Sequence, residues 1–281
     1  MGVRGLTSYL KESAPFLGRQ IELRDTKLII DGDNLCNYLY KENGFDCRCG
    51  GQYEEFYMKV LLFFDALKSK GVESFVVLDG AYDKSDKKLE TQKKRAQERI
   101  ETADRLFKDE PSPNGDEYFL LPLLAKFVFA QVLRDHLIRF AVSDCEADAE
   151  IAYLANYFQC PVLSNDSDFC IFDVIRGFIP ISSFKWHSLP LKARIFHRAK
   201  LAEYFGIRTE LLALFASLVG NDYATLALLR PFHQSLPGKS GKTEEKFRAI
   251  INLILQAPAS EEEAVEFVLQ HVSKDCPYSL M

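Results

Sequence analysis

The stretch Val162-Leu163-Ser164-Asn165-Asp166-Ser167-Asp168-Phe169 is a short apolar run of strand composition that stops at two carboxylates separated by one residue. Three other apolar runs also end at acids. They are residues 28–31, ending at Asp31, residues 75–79, ending at Asp79, and residues 140–142, which run on into Glu146 and Asp148. Strands of this kind with helical patterns between them predict an α/β fold with a mostly parallel sheet. In such a sheet, side chains that follow the strands point into the functional site.

A cluster of acids at one edge of a sheet needs cations, because packed carboxylates repel one another and raise each other's pKa values. Mg²⁺ and Mn²⁺ take oxygen ligands, and no histidine lies close in sequence to these acids. Two such ions can activate a water molecule and stabilise the leaving oxygen of a phosphodiester. The candidate ligands are Asp31, Asp79, Glu146, Asp148, Asp166, Asp168 and Asp222.

The composition of the 281-residue chain, 47% hydrophobic and 27% charged, is typical of a soluble globular protein with one large domain or two modest ones. Seven cysteines, an odd count, indicate free thiols and a reducing compartment. We expect neither a secretory signal nor a membrane span, since the longest apolar stretch, 119–133, is short and contains Pro122 and Lys126. A net charge of -5 argues against nucleic-acid binding, unless metal ions neutralise clustered carboxylates.

A basic segment follows Asp79 in the sequence. Residues 84–99 contain seven basic and three acidic side chains, and apolar residues recur at helical spacing to Phe107. The pattern predicts an amphipathic helix over about 84–107 with a basic outer face. That face is either a solvated surface or a phosphate-binding surface, and both interpretations remain open. Prolines and a glycine among polar residues predict a mobile loop at about 108–117.

Further along the chain, Ser143 and Glu146 have the spacing of a capping box for a helix over 147–158. A helix is also predicted over 209–219, with Gly220 as its stop signal. Pro237 and Gly238 indicate a loop over 231–242. Two capped helices are expected to begin near Thr243 and Ser260.

Six of these motifs, taken in order and with their approximate spacing, resemble the flap-endonuclease superfamily, which includes the xeroderma pigmentosum G nuclease. Within it, residues 79–89 and 160–172 look like an asteroid protein. The six motifs are Gly2-Val3-Arg4-Gly5-Leu6, Ile29-Ile30-Asp31, Val77-Leu78-Asp79-Gly80, Glu146-Ala147-Asp148-Ala149, Ser164-Asn165-Asp166-Ser167-Asp168 and Gly220-Asn221-Asp222-Tyr223.

The resemblance implies a PIN-like α/β fold of the flap-endonuclease type. Its mostly parallel twisted sheet would be flanked by helices, with a helical arch that contains the basic segment. A nuclease core would span residues 1–223, and residues 224–281 would form a C-terminal helical extension.

The resemblance also implies roles for particular residues. Two Mg²⁺ or Mn²⁺ ions would be bound, and the free amine of Gly2, after removal of Met1, would lie near the scissile phosphate. Basic residues of the arch would orient that phosphate, the candidates being Lys87, Lys88, Lys93 and Arg95. Asp31, Asp79, Glu146 and Asp148 would lie nearest one ion, and Asp166, Asp168 and Asp222 nearest the other. A DNA-repair nuclease of this kind is expected in the nucleus.

The sequence departs from the family after Asp222. Flap endonucleases carry a glycine-rich turn there that grips duplex backbone, and residues 224–241 show no such glycine pattern. We therefore expect a structure-specific DNA endonuclease that cuts single-stranded DNA or overhangs more readily than double-flap junctions.

Three alternatives remain. Asp31-Gly32-Asp33 is similar to the start of a haloacid dehalogenase phosphatase, although Leu35 stands where that motif has threonine. The longer run to Leu35 also resembles RNA-cleaving relatives with the same core, so RNA is a possible substrate. A catalytically silent binding or scaffold protein with this fold is the third, but all seven ligand positions are acidic, which favours an enzyme.

Overall fold

The computed structural model describes residues 2–12, 15–48, 50–81, 89–109, 118–221, 224–236, 243–258 and 260–271. The strands in these ranges are β1 Arg19–Glu22, β2 Lys27–Asp31, β3 Glu73–Leu78, β4 Arg139–Val142, β5 Val162–Ser164, β6 Phe178–Pro180 and β7 Lys192–Ile195. The α-helices are α1 Leu6–Glu12, α2 Gly32–Glu42, α3 Tyr53–Lys68, α4 Leu89–Phe107, α5 Ala125–Asp135, α6 Asp148–Tyr157, α7 Arg198–Phe205, α8 Leu212–Val219, α9 Leu226–Ser235, α10 Thr243–Leu255 and α11 Glu261–His271.

The chain forms two compact units. The first, called the sheet unit, contains residues 20–165 and 174–195. The second, called the helical unit, contains the described residues within 1–19, 166–173 and 196–281. Each unit has its own buried side chains.

The main sheet of the sheet unit has five strands in the order β4-β3-β2-β5-β6, and all four pairings are parallel. This confirms the prediction of a mostly parallel sheet. Leu28, Ile29 and Ile30 of the central strand β2 are almost completely buried, as expected for a parallel strand covered on both faces. Strands β1 and β7, which sequence patterns did not reveal, form a separate two-stranded sheet.

Helix α3 shows how the sequence builds the core of this unit. It buries apolar side chains that recur at intervals of three and four residues, as one face of an α-helix requires. Phe63 contacts Trp186 edge to face, with 5.2 Å between the ring centroids. The buried residues of the helix are Phe56, Val60, Phe63, Phe64 and Leu67.

The helical unit is packed around aromatic rings. Phe215 of α8 lies 4.9 Å from Phe205 of α7 and 5.2 Å from Phe247 of α10, measured between ring centroids. Tyr9 of α1 lies 5.1 Å from Phe247. Three helices from distant parts of the sequence therefore share one aromatic core with α1.

Two local predictions were wrong. Helix α6 begins at Asp148 with Ala147 as its N-cap and without a side-chain capping hydrogen bond, so Ser143 lies too far before the helix to cap it, and its hydroxyl donates to the carbonyl of Cys145. The loop predicted from residue 231 begins later, since α9 continues through Pro231 to Ser235. Burial of Leu229 and Phe232 stabilises this helix despite the hydrogen bond that proline removes.

Residues 89–107 of the basic segment form the predicted helix, whereas residues 84–88 lie outside the described residues, and the apolar stripe of the helix is not covered. Helix α4 has no buried residue among its described side chains, and Ile100 and Phe107 are 64% and 89% exposed. The mobile loop expected at about 108–117 falls mainly on residues 110–117, which lie outside the described residues. In the described ranges, no helix combines the length and the apolar character that crossing a membrane requires.

Candidate functional site

Asp31 is a buried carboxylate at the carboxyl end of the central strand β2, with 6% of the residue exposed. It is also the N-cap of α2, and it accepts hydrogen bonds from the backbone and side-chain amides of Asn34 at 3.0 and 2.7 Å. The register of β2 and β5 brings Ser164 alongside, and its hydroxyl donates to Asp31 at 2.7 Å. Burial raises the pKa of Asp31 to about 6, because the charge of Asp79 adds to desolvation and the three hydrogen bonds compensate only in part.

Asp79 follows the neighbouring strand β3. Its carboxylate accepts a hydrogen bond from the backbone N–H of Ala147 at 3.0 Å. Partial desolvation raises the pKa of Asp79, although the residue is exposed, and the charges of Asp33 and Glu146 raise it further. The Ala147 bond and the Lys126 ammonium oppose this shift without cancelling it. Two acids with raised pKa values, the buried Asp31 and the exposed Asp79, thus lie at adjacent strand ends.

Gly80 allows the chain after Asp79 to approach the chain after β4. The backbone N–H groups of Gly80 and Ala81 donate to the carbonyls of Cys145 and Asp144 at 2.8 and 3.1 Å. A Cβ atom at residue 80 would collide with the carbonyl oxygen of Ser143, so only glycine fits. This close approach positions the 143–147 segment beside Asp79.

Glu146 and Asp148 occupy the start of the α6 region. Asp148 is half-buried in the first turn of that helix, and Glu146 is exposed just before it. The charge of Glu146 acts on Asp79. The sheet unit therefore brings Asp31, Asp79 and Glu146 into electrostatic contact, as expected from the strand-end pattern.

Asp33 is a further acid of this region, and the ligand prediction did not include it. One carboxylate oxygen, Oδ2, accepts the backbone N–H of Asp79 at 2.8 Å, and the other, Oδ1, is paired with the ammonium of Lys126 on α5. Burial alone would lower the pKa of Lys126, but the bond to Asp33 and the charges of Asp33 and Asp79 raise it. The run Asp31-Gly32-Asp33 was a visible signal for Asp33, whereas nothing in the sequence singles out Lys126 as its partner.

The helical unit holds the second acidic pair. Asp166 is 8% exposed and caps a short 3-10 helix, Ser167–Cys170, by accepting the backbone N–H of Asp168 at 3.0 Å. Carboxylate oxygens of Asp166 and Asp168 lie within 4.8 Å of each other. This spacing allows both to ligate one cation.

Gly2 lies against this pair. A Cβ atom built on Gly2 would collide with Oδ1 of Asp166 and come within 2.9 Å of Oδ1 of Asp168. The backbone N–H of Arg4 donates to the carbonyl of Gly220 at 3.0 Å, which ties the N-terminal segment to the end of α8. The structure thus brings Gly2, Asp166 and Asp168 together within the helical unit.

The remaining predicted site residues lie either on helix α4 or outside the described residues. Lys93 is exposed and Arg95 half-buried on helix α4. Lys87, Lys88 and Asp222 lie outside the described residues.

The donor set fits a hard divalent cation. In both units the described candidate ligands are carboxylates, and Asp31 and Asp166 are buried. Desolvation of Asp31 and Asp79 disfavours their charged forms, and a bound cation would reverse that effect.

Comparison with known proteins identifies the group of relatives. A family model described as XPG domain containing matches residues 129–272, just over half of the chain. The chain is 38% identical to the human protein named Single-strand DNA endonuclease ASTE1 over 288 aligned residues, which cover 98% of this chain and 42% of that protein. It is 28% identical to Protein asteroid of Drosophila melanogaster, with coverage of 100% and 39%. The chain therefore spans about two fifths of the length of these curated relatives.

A solved structure supports the fold. The Holliday junction-resolving enzyme GEN1, in complex with product DNA and a Mg²⁺ ion, has a TM-score of 0.52 to this chain at 19% identity. The match covers 98% of this chain and 57% of GEN1. The predicted mixed α/β fold, with a mostly parallel sheet flanked by helices, is confirmed.

Proposed function

The chain belongs to the XPG-domain family as an asteroid-type nuclease, and from this we propose that it is a metal-dependent endonuclease of single-stranded DNA and overhangs. Hydrolysis would use two divalent cations, Mg²⁺ or Mn²⁺. The human relative that covers nearly the whole chain bears the name single-strand DNA endonuclease, which supports the choice of substrate.

The observation that carries the proposal is the position of Asp31 and Asp79 at adjacent parallel strand ends, where Asp31 is buried and the pKa values of both carboxylates are raised. Capping α2 does not require a charge at residue 31, because asparagine caps helices as well as aspartate does. Keeping ionisable groups in this position costs stability, which is typical of functional sites. A bound cation would recover that cost.

Each group of candidate residues would have its own role in hydrolysis. Asp31, Asp79, Glu146 and Asp148 would hold one ion, and Asp166, Asp168 and Asp222 the other. When bound, the ions would activate the attacking water and stabilise the leaving oxygen. The amine of Gly2 would donate to the scissile phosphate, and arch cations would orient it electrostatically. The candidates for the arch are Lys87, Lys88, Lys93 and Arg95.

Substrate preference follows from residues 224–241, which lack the glycine-rich turn that grips duplex backbone in flap endonucleases. Without that grip, binding would depend on contacts to the unpaired strand, whose backbone and exposed bases remain accessible. We propose DNA as the physiological partner, the nucleus as the location and repair as the context.

The test is a panel of end-labelled substrates incubated with the full chain and Mg²⁺ or Mn²⁺. The panel contains single-stranded DNA, a DNA overhang, a double-flap junction and single-stranded RNA of matched sequence. We expect the first two to be cut fastest. Exclusive cleavage of flaps would overturn the single-strand assignment, and faster cleavage of RNA would overturn the DNA assignment.

Asp166→Ala and Asp168→Ala provide the control for contaminating nuclease, and both should abolish cleavage of every substrate. Arg139→Met is a matched surface control. Arg139 forms an exposed ion pair with Glu73 at 3.7 Å, at the amino ends of β3 and β4 and away from the acids. Cleavage that survives in both aspartate variants would contradict the assigned site.

A further inference from the structure

The carboxylate of Asp33 joins three segments of the sheet unit. It extends from the first turn of α2, accepts the backbone N–H of Asp79 after β3 at 2.8 Å, and pairs with the ammonium of Lys126 at the start of α5. Asp79 in turn accepts the N–H of Ala147 through its own carboxylate at 3.0 Å. Lys126, Asp33, Asp79 and Ala147 therefore form a continuous chain of polar contacts.

Both oxygens of Asp33 are engaged in this chain. Oδ1 is buried, and its contact among the described residues is the ammonium of Lys126, which compensates its charge. Oδ2 is occupied by the N–H of Asp79. With neither oxygen directed to a ligand, Asp33 acts on the site through Asp79.

The two partners differ in exposure. The Lys126 side chain is 58% exposed, whereas that of Asp33 is 15% exposed. An exposed ion pair contributes little by itself, because water screens it. Removing one partner of a buried charge is different, since the remaining charge is left without compensation. The loss of Lys126 would therefore leave the charge of the Asp33 carboxylate without compensation.

We infer that Lys126 is a positioning residue of the nuclease, which holds Asp33 so that Asp33 fixes the backbone of Asp79 and directs its carboxylate to the metal. The inference rests on the proposed function, because it takes Asp79 as a metal ligand. Groups that orient ligands in this way affect metal affinity by about 10-fold to 100-fold when they are removed.

A simple electrostatic role predicts the opposite result. If Lys126 acted only as a nearby positive charge, its removal would strengthen cation binding, because like charges repel. Loss of positioning would weaken binding instead. The sign of the change in metal affinity therefore separates the two roles.

The experiment measures Mn²⁺ and Mg²⁺ binding to the full chain by titration calorimetry, together with single-turnover cleavage at limiting and saturating metal. Lys126→Met should bind metal about 10-fold more weakly, and cleavage should recover in part as the metal concentration rises. Lys126→Arg, which keeps the charge and can pair with Asp33, should stay close to wild type. Arg139→Met should leave binding and cleavage unchanged.

A double variant tests whether the effect passes through Asp33. In Lys126→Met combined with Asp33→Asn, the buried charge is gone and the asparagine oxygen can still accept the N–H of Asp79. Metal affinity should then be higher than in Lys126→Met alone. Circular dichroism and thermal unfolding of each variant verify that the fold is retained. If Lys126→Met unfolds, the double variant is compared with Asp33→Asn alone, and the two should bind metal equally if Lys126 acts only through Asp33.

Equal or tighter metal binding by Lys126→Met would overturn the positioning role while leaving the nuclease assignment intact. Strictly additive effects of the two substitutions would also overturn it. A wild-type chain that neither binds these metals nor cleaves nucleic acid would overturn the proposed function and this inference together. The two failures are thus distinguishable.

Discussion

The charged side chains at the two ends of the five-stranded sheet have opposite environments. At the carboxyl ends of the strands, Asp31 is buried, the charge of Asp79 acts on it, and the pKa values of both carboxylates are raised. At the amino ends, Glu73 and Arg139 form an ion pair 3.7 Å apart with side chains that are 63% and 73% exposed. The sheet thus has a solvated ion pair at the amino ends of its strands, which affects stability little, and a cluster of acids at the carboxyl ends, which destabilises the fold. Such a difference is expected where acids are retained to bind a ligand.

The largest expected effect is on catalysis at the carboxyl end. Asp79→Asn should slow single-turnover cleavage of single-stranded DNA by about 1,000-fold, equivalent to about 4 kcal/mol of activation free energy, because the variant removes a proposed metal ligand. Glu73→Gln at the amino end should change the rate less than about 2-fold, since its exposed pair contributes little. Similar rates for both variants would remove the functional distinction between the two ends.

The next effect is on stability as a function of pH in metal-free protein. The folded-state pKa of Asp31, about 6, lies above its ordinary value of 3.8, so the folded chain binds the proton more tightly than the unfolded chain. The contribution of this group is therefore fully present below about pH 4 and is lost as pH rises through 6. Over that range, wild type should lose about 3 kcal/mol of unfolding free energy relative to Asp31→Asn.

Urea unfolding in the presence of EDTA, at pH values from about 4 to 8, measures this difference. The asparagine variant also changes the cap of α2, but that effect is independent of pH and cancels from the slope. A constant difference between the two proteins across the range would show that Asp31 is not destabilised by its burial.

A smaller effect is expected from metal binding to the folded chain. At a Mg²⁺ concentration ten times the dissociation constant, the free energy of unfolding should rise by about 1.4 kcal/mol. The melting temperature should rise by about 2–4 °C. Asp79→Asn should lose most of this stabilisation in scanning calorimetry, and an equal rise in that variant would indicate binding elsewhere on the chain.

The smallest effect concerns the amino-terminal ion pair. Arg139→Met should change the free energy of unfolding by less than about 0.5 kcal/mol, because both side chains are exposed and screened by water. Chemical denaturation with and without 0.5 M salt measures it. A loss above about 1 kcal/mol, sensitive to salt, would make the two ends of the sheet more alike than their burial indicates.

Much of the sheet was predictable because its inner strands β2 and β5 are buried on both faces. The runs around Ile30, Val76 and Leu163 are apolar without alternation, which is typical of parallel strands, and the acids that follow them mark the carboxyl ends. Local signals were less reliable. Ser143 has the spacing of a capping box, yet the helix begins only after Ala147, and the hydroxyl of Ser143 donates to the carbonyl of Cys145 in the preceding turn.

Tertiary packing also outweighed local chemistry in α9 and α4. Pro231 is a helix breaker by itself, but burial of Phe232 beside it stabilises the helix. The stripe with Ile100 and Phe107 has helical spacing, and α4 forms, although the structure leaves both side chains exposed. Periodicity predicts that a helix forms, and it does not say what the helix packs against.

The sequence by itself determined which residues are the candidates for the chemistry of this protein. Acids placed after buried strands are visible in the order of the residues, because strand ends and their side chains are local features. Only the tertiary structure decided how those acids are held. The link from Asp33 to the backbone of Asp79 joins residues 46 positions apart, and the ammonium of Lys126 arrives on a separate helix. Contacts of that kind depend on how the elements pack together, and no local pattern encodes them.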